Sequence, residues 1–239
     1  MMRGCFVTGT DTEVGKTRIS AGLLHWFGLA GYRSAGLKPV AAGTTLIDGV
    51  RVNEDVRALR DASSIALTDT LTDAEVGPNQ FTEACAPHIA AAHEGRAIDR
   101  QALLGAARAL ARRADWLVVE GVGGFCVPFG ADWDSADLAC DLALPVVLVV
   151  GLRLGCLNHA LLTAEAVRSR GLSLAGWVGN ALSADMLHCS ENVATLNHEL
   201  GRRHLAPCLG LIPRLADTHP AAVAACFDAA ALRRAFALQ

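Results

Sequence analysis

The chain has 239 residues, of which 52% are hydrophobic and 19% charged, so it can bury a sizeable core. This composition excludes a disordered or fibrous protein, and its simplest interpretation is one domain over residues 1–239. The formal net charge of −3 gives no positive field for a phosphate backbone or an anionic membrane, so we expect neither nucleic acid nor membrane as a partner.

The N-terminal part of the chain predicts a strand, a loop, a helix and a second strand. Residues 5–8 form a short apolar run closed by Gly9, and over residues 16–31 apolar side chains recur at helical spacing until a glycine. Residues 34–40 predict the second strand. Residues 53–60 are polar and predict a helix that opens on a capping asparagine.

The middle of the chain continues this alternation. Residues 61–80 are too polar and irregular to assign. Residues 101–113 carry apolar side chains on one helical face and lead into the buried strand 116–119. Residues 145–150 form another continuous apolar run, and a helix is predicted from about Asn158, as its cap, to Gly171.

The last predicted elements are strands at 174–178 and 208–212 and a closing helix within the alanine-rich tail 221–238. Strands that are apolar on both faces and alternate with helices indicate an α/β fold. We therefore predict a doubly wound, mostly parallel sheet with helices on both faces.

The strongest motif is a phosphate-binding loop at residues 9–17, GTDTEVGKT, between the first strand and the first helix. Its backbone N–H groups can surround phosphate oxygens, Lys16 can reach the outer phosphates, and the Thr17 hydroxyl can bind Mg²⁺. The first glycine is one residue early for the usual spacing, so Thr10 occupies its place. The loop makes the predicted fold one of the P-loop NTPase type and predicts ATP with Mg²⁺ as cofactors. The nucleotide-binding residues that it predicts are Thr10, Asp11, Glu13, Val14, Gly15, Lys16 and Thr17.

Two carboxylates are candidate metal ligands beside Thr17. Glu120 ends the strand 116–119 and therefore lies at the carboxyl edge of the sheet, where ligands bind in parallel sheets. Asp55 follows the second strand, and its spacing alone also fits a solvated carboxylate in the first turn of a helix. If the two carboxylates converge they repel, so a cation is expected between them.

Lysine is rare in this chain: the only two lysines are Lys16 and Lys38, against 19 arginines. A compact ammonium group or an amine with a movable pKa is something that a guanidinium cannot supply, so both lysines are candidates for function. Lys38 lies beside the same sheet edge and could hold a carboxylate or a developing oxyanion.

The eight cysteines and eight histidines show no zinc-ligand or catalytic-triad spacing, and we assign them no chemistry. Scattered cysteines are typical of a reducing compartment. The chain begins without an apolar signal segment and has no run of roughly 18 apolar residues, so we expect a cytoplasmic protein.

Six sequence blocks together resemble the dethiobiotin synthetase family, over residues 5 to about 215. They are FVTGTDTEVGKT at 6–17, KPVA at 38–41, APHI at 86–89, VEGVGG at 119–124, LGCLNHA at 154–160 and GWVGN at 176–180. The early glycine of the phosphate loop is itself similar to the family's form.

The resemblance implies a homodimeric ligase that uses ATP and Mg²⁺ to close the ureido ring of dethiobiotin from 7,8-diaminononanoate and CO₂. It implies that Lys16 and Lys38 are catalytic and hold phosphate and carbamate oxygens, and that Thr12, also catalytic, faces the diamine. The other implied substrate residues are Ala42, Gly121, Val122, Gly123 and Gly124. The implied metal ligands are Thr17, Asp55 and Glu120, and the implied adenine-side residues are Asn180 and Pro213.

The chain departs from the family pattern at two places. Ala42 stands where the family has a serine, so a hydroxyl expected near the carbamate is missing. Residues 183–193 also lack the aromatic side chain that a partner subunit is expected to lend to the substrate pocket.

The main alternative is a nucleotide-switched partitioning or targeting ATPase of the same fold class. Such proteins carry a signature lysine five residues before the lysine of the phosphate loop, and here that position is Asp11. A GTPase needs an Asn-Lys-x-Asp motif, which lysines at 16 and 38 cannot form.

Overall fold

The computed structural model describes residues 2–183 and 185–238, and its strands are short and mostly buried. In chain order they are β1 (Gly4–Gly9), β2 (Ser34–Leu37), β3 (Val40–Ala42), β4 (Thr45–Ile47), β5 (Val50–Val52), β6 (Asn79–Phe81), β7 (Trp116–Glu120), β8 (Val146–Leu152), β9 (Leu174–Ala181) and β10 (Cys208–Ile212).

The helices follow the same alternating order along the chain. They are α1 (Lys16–Leu29), α2 (Glu54–Ala62), α3 (Asp73–Val76), α4 (Pro87–His93), α5 (Arg100–Ala111), α6 (Ser135–Leu142), α7 (Cys156–Ser169), α8 (Cys189–His204), α9 (Pro220–Ala224) and α10 (Ala229–Ala235), with a 3₁₀ turn at Ser64–Leu67. Within the described part of the chain, none of these helices has the length and apolar content needed to cross a bilayer.

The central sheet has six parallel strands in the order β10-β9-β8-β1-β7-β2, which confirms the predicted fold class. β1 lies between β7 and β8, and every residue of these three strands is buried because helices cover both faces. Since all six strands run the same way, their carboxyl ends meet at one edge, and β1, β2, β7 and β9 bring their last residues there.

Helix α1 is anchored on the sheet by the apolar stripe that its sequence period predicts. Ile19, Leu23 and Phe27 are fully buried, and the Phe27 ring stacks on Trp116 of β7 at 4.6 Å. Burial of each such side chain contributes roughly 1.5–3 kcal/mol, so this stripe fixes where the N-terminus of α1 lies relative to β7.

The predicted strand 34–40 is wrong in one respect: the chain leaves the central sheet after Leu37, in the middle of the predicted strand. β2 ends at Leu37, the Lys38 backbone N–H donates to the Val76 carbonyl at 2.7 Å, and Pro39 has no N–H to donate. Val40 then begins β3, which pairs with β6 in a separate two-stranded ladder. The segment 61–80, which was not assigned, supplies that partner strand as well as α3.

Two predicted helices also differ from the structure. α7 begins at Cys156 after Gly155, whose φ of 94° ends the preceding turn, so Asn158 lies inside the first helical turn and is not the cap. The tail is not one helix: it divides into α9 and α10 because Phe227 bridges to β10 and Asp228 caps α10 by accepting from the Ala231 N–H.

Candidate functional site

The loop between β1 and α1 is shaped for close approach to a phosphate group. Gly15 has a φ of 92°, and a β-carbon there would lie 2.3 Å from the Asn180 side-chain nitrogen, so only glycine fits. The Thr10 N–H donates to the Val149 carbonyl at 3.0 Å, which extends the pairing of β1 with β8. The predicted phosphate loop therefore lies at the carboxyl edge of the sheet, directly before a helix N-terminus.

Lys16 is buried at the base of this loop, where its ammonium group donates to the Asp11 carbonyl at 2.9 Å. Burial, with a further contribution from nearby Lys38, lowers the pKa of Lys16 to about 8. An anion bound beside Lys16 would therefore raise this pKa again and favour the charged ammonium form.

Three oxygen-bearing side chains converge next to Lys16. The Thr17 hydroxyl lies 2.7 Å from Asp55 Oδ1 and 2.8 Å from Glu120 Oε1, although its single proton can serve only one of them. Glu120 is fully buried, and its second oxygen, Oε2, has no hydrogen-bond partner among the described residues. Hydroxyl and carboxylate oxygens in this arrangement are the donor set that Mg²⁺ prefers, so the three residues fit the predicted metal ion.

Lys38 lies between the same two carboxylates. Its ammonium group is 2.5 Å from Glu120 Oε1 and 2.9 Å from Asp55 Oδ2, and it also donates to the Gly121 carbonyl at 3.3 Å. Burial works to lower the pKa of Lys38, but the two carboxylates outweigh it and raise that pKa above its ordinary value. Burial likewise opposes ionisation of Asp55, but Lys38 and Thr17 lower its pKa.

One cavity of about 750 Å³ joins the phosphate loop to the residues expected to bind substrate. Lys38 and Thr12 both line it, and Thr12 Oγ1 packs close to Gly123, whose φ is 60°. Its lining residues are Thr12, Glu13, Gly15, Lys16, Thr17, Lys38, Ala42, Asp55, Ala84, Cys85, Ala86, Pro87, Glu120, Val122, Gly123, Gly124 and Val127.

Six of the predicted binding residues lie outside that lining: Thr10, Asp11, Val14, Gly121, Asn180 and Pro213. Gly121 is buried, and its carbonyl accepts from Lys38 while its N–H donates to the Val7 carbonyl. Val14 is buried and its carbonyl accepts from Asn180. Asp11 pairs with Arg153, which precedes α7, and Thr10 is used in the sheet. Each of the first four ties a loop beside the cavity to a neighbouring part of the chain.

The predicted adenine-side residues lie on neighbouring strands. Asn180 near the end of β9 donates from Nδ2 to the Val14 carbonyl at 2.8 Å, which leaves its buried Oδ1 without a partner among the described residues. Ile212 is in register with Asn180, so Pro213 follows directly at the same edge and is exposed. Asn180 Oδ1 can therefore accept from a ligand, while one N–H of Nδ2 holds the phosphate loop.

Sequence reasoning missed the wall formed by Ala84–Pro87, which contributes Cys85 to the cavity. Ala86 and Pro87 open the APHI block of the family resemblance, but no residue of this wall was assigned to the site, because such small side chains suggest no chemistry. Ala42 does line the cavity, with a methyl group where the family has a hydroxyl. Of the segment 183–193, residue 184 lies outside the described residues, and Leu187 is exposed.

The other titratable groups do not assemble a second centre. No group of three or more histidine, cysteine, aspartate or glutamate side chains in residues 2–183 and 185–238 is placed to hold a metal ion. Within the same ranges the eight cysteines are free. His219 caps α9 by accepting from the Ala221 N–H.

The parallel sheet and its phosphate loop define a P-loop ATPase. The chain belongs to the AAA domain family, whose model matches residues 3–222.

Solved structures of similar fold are MinD and ParA proteins. They include the cell division ATPase MinD of Pyrococcus furiosus, with 17% identity, coverage of 90% of this chain and 84% of that one, and a TM-score of 0.52. The septum site-determining protein MinD of Pyrococcus horikoshii, complexed with Mg-ADP, has 16% identity, coverage of 98% and 93%, and a TM-score of 0.53.

A ParA family ATPase of Chlorobium tepidum has 12% identity, coverage of 98% of this chain and 96% of that one, and a TM-score of 0.52. At these identities the likeness establishes the fold and leaves the reaction open.

Proposed function

We propose that this P-loop ATPase is an ATP- and Mg²⁺-dependent ligase of the dethiobiotin synthetase type. One amine of 7,8-diaminononanoate attacks CO₂ and loses a proton, which gives a carbamate. A carbamate oxygen then takes the γ-phosphoryl group of ATP and releases ADP. The second amine attacks the carbonyl carbon of this mixed anhydride, the bond from carbon to the phosphate oxygen breaks, and the ureido ring closes with loss of phosphate and a proton.

The observation that carries this proposal is the shared cavity. Lys16 and Thr17, which are expected to bind phosphate and metal, line the same space as Thr12, Lys38 and Gly123, which are expected to bind substrate. A volume of about 750 Å³ falls within the range of small-molecule sites, so a second reactant can lie in line with the terminal phosphate.

On the nucleotide side, Lys16 and the loop backbone hold the phosphates, and the Asn180 and Pro213 edge lies toward the base. Thr17, Asp55 and Glu120 would hold Mg²⁺, which when bound neutralises charge on the phosphates. Asn180 fixes the Val14 carbonyl, and its free Oδ1 suits an exocyclic amine such as that of adenine.

On the substrate side, Lys38 stabilises the negative charge that develops as the neutral amine becomes a carbamate. Thr12 and the turn Val122–Gly124 orient the diamine, since both line the cavity. Because Ala42 offers no hydroxyl, Lys38 carries more of this stabilisation than in relatives that have serine at that position.

A partitioning-type switch is the second candidate, and the MinD and ParA structures favour it because they share the fold over most of the chain. Against it stands Asp11 at the position of the signature lysine. Its carboxylate pairs with Arg153, which puts a negative group and its counter-ion where the switch proteins have a cation.

A homodimer, implied by the resemblance, is part of the proposal. Large apolar side chains are exposed at the start of α7 and along it: Leu154 is 96% exposed and Leu162 is 62% exposed. A contiguous exposed apolar patch marks a protein interface, and we propose that these two leucines contribute to one.

The test is a paired measurement on purified protein. With diaminononanoate, bicarbonate and Mg-ATP, the parent is expected to yield dethiobiotin, detected by mass. Lys38→Ala is expected to abolish the product while its ATP affinity stays within about tenfold of the parent, or roughly 1.4 kcal/mol. Failure of the parent to form product would favour the switch, and loss of ATP binding in Lys38→Ala would assign this lysine to the phosphates.

A further inference from the structure

Lys38 occupies the position at which the carboxylates need a cation. Its ammonium group contacts Glu120 Oε1 and Asp55 Oδ2, and the side chain is only 4% exposed. Thr17 bridges the same pair of carboxylates. The lysine therefore already supplies the positive charge that a metal ion would supply to this group.

A metal ion and the Lys38 ammonium cannot both use these oxygens. Glu120 Oε1 already accepts from Lys38 and approaches Thr17, and a carboxylate oxygen shared by two cations brings them within a few ångströms of each other. Lys16 adds a further positive charge beside them. The buried Glu120 Oε2 is the one oxygen of this carboxylate that a metal ion could take without displacing the lysine.

We propose that Lys38 and Mg²⁺ compete for Asp55 and Glu120, and that arrival of the metal ion releases the Lys38 ammonium into the cavity. While Lys38 is paired with two carboxylates, its charge is neutralised and does little for an anion in the cavity. When Mg²⁺ takes the carboxylates, the freed ammonium becomes available to an anionic substrate group. The competition rests on the geometry alone, whereas use of the freed charge on a carbamate rests on the proposed function.

The direct test is a Mg²⁺ titration without nucleotide on Lys38→Met, a variant of similar length without the charge. Removing the competitor should tighten Mg²⁺ binding at least tenfold over the parent, measured by calorimetry and by the Mg²⁺ concentration that raises the melting temperature. Lys16→Met is the matched control, since it removes a neighbouring positive charge that does not contact the carboxylates. Equal Mg²⁺ affinity in Lys38→Met and the parent, or an equal gain in both variants, would overturn the competition.

A double variant guards against misfolding of Lys38→Met. Lys38→Met with Glu120→Gln removes the buried carboxylate together with its partner, so it should fold without added metal and should lose the gain in Mg²⁺ affinity. If the double variant retains the tighter binding, Glu120 is not one of the contested ligands and the proposal fails.

A second measurement needs no change at the site. Because the chain has only two lysines, protein labelled with ¹⁵N-lysine gives two side-chain signals, and Lys16→Met assigns them. Mg²⁺ alone should shift the Lys38 signal and speed exchange of its protons with water. A Lys38 signal that stays unchanged at saturating Mg²⁺ would place the metal ion on Oε2 and refute release.

Both measurements are made without diamine or ATP. Their outcome is therefore independent of whether the protein makes dethiobiotin. A protein that shows the competition but no product would keep this inference and lose the proposed reaction.

Discussion

The buried pair of Lys38 and Glu120 should dominate the electrostatic contribution of the site to stability. We expect Glu120→Gln to destabilise the fold more than Asp55→Asn, although both changes remove one negative charge and keep the side-chain shape. The reason is burial: the Glu120 side chain is 0% exposed and Lys38 is 4% exposed, whereas Asp55 is 42% exposed.

The magnitudes follow from these exposures. Breaking a fully buried ion pair costs roughly 3–5 kcal/mol, but Asp55 still contacts Lys38 at 2.9 Å, so the loss for Glu120→Gln should be about 2–3 kcal/mol. Asp55→Asn leaves the buried pair intact and removes a contact that solvent screens, so its loss should be about 0.5–1 kcal/mol. For a chain of this length, the larger loss corresponds to a fall in melting temperature of roughly 4–10 °C.

The assay is urea unfolding of the parent and both variants at neutral pH in a buffer with a metal chelator, followed by tryptophan fluorescence. Chelation matters because a bound cation would stabilise the variants unequally. Lys38→Met closes a double-mutant cycle with Glu120→Gln and should show a coupling of at least about 1 kcal/mol. A loss in Asp55→Asn equal to or greater than that in Glu120→Gln would refute the argument that the buried pair is the main one.

The remaining predictions concern the phosphate loop, the base-side amide and the subunit contact. With a pKa of about 8, Lys16 loses its charge as the pH rises, so ATP affinity without Mg²⁺ should fall about tenfold between roughly pH 7 and 9. The ATP affinity of Lys16→Arg should be weaker but independent of pH over this range, and parallel profiles of the two proteins by calorimetry would exclude Lys16 as the titrating group. Asn180→Asp loses the donor to the Val14 carbonyl, so the affinities for ATP and for inorganic triphosphate should both fall by at least about tenfold in equilibrium titrations. A loss of affinity for ATP alone would mean that Asn180 acts on the base and not on the phosphate loop. Leu162→Glu should give monomers in light scattering, whereas the control Leu205→Glu, at an 86% exposed position after α8, should not. An unchanged mass for Leu162→Glu would exclude this face of α7 as the subunit contact.

Local sequence patterns predicted the elements around β1 well because each depends on a signal within one segment. The phosphate loop, the stripe on α1 and the strand ending at Glu120 are of this kind. The break of the strand at Lys38 was missed, because it depends on a hydrogen bond to Val76, which lies 38 residues further along the chain. The β4–β5 hairpin was also missed, because its two strands are short and mostly exposed and so lack the alternation of apolar and polar residues that predicts a strand.

The candidate site could be predicted as a set of residues but not as a network. Motif and strand position placed Thr17, Asp55, Glu120 and Lys38 at one edge of the sheet, and the structure brings all four together. What the sequence does not contain is their pairing. Lys38 contacts Glu120 because β2 and β7 are adjacent, and it contacts Asp55 because α2 packs against β2; only the tertiary fold determines both. The missing aromatic group at 183–193 and the dimer stay predictions for the same reason, since a second chain would decide them.

The rarity of lysine now has a physical explanation at both positions. Both lysines are buried cations of the site: the Lys16 ammonium group donates to the Asp11 carbonyl, and the Lys38 ammonium group lies among three oxygens. At Lys38 the available space lies between two carboxylates and the Gly121 carbonyl, all within 3.3 Å of one nitrogen. A planar guanidinium presents its donors in a fixed fork, so it cannot converge on three acceptors around one point, and it is hydrated too weakly to behave as a substitute for a metal ion. The chain uses arginine for its exposed ion pairs and lysine at position 38, where in our proposal a point charge exchanges places with Mg²⁺.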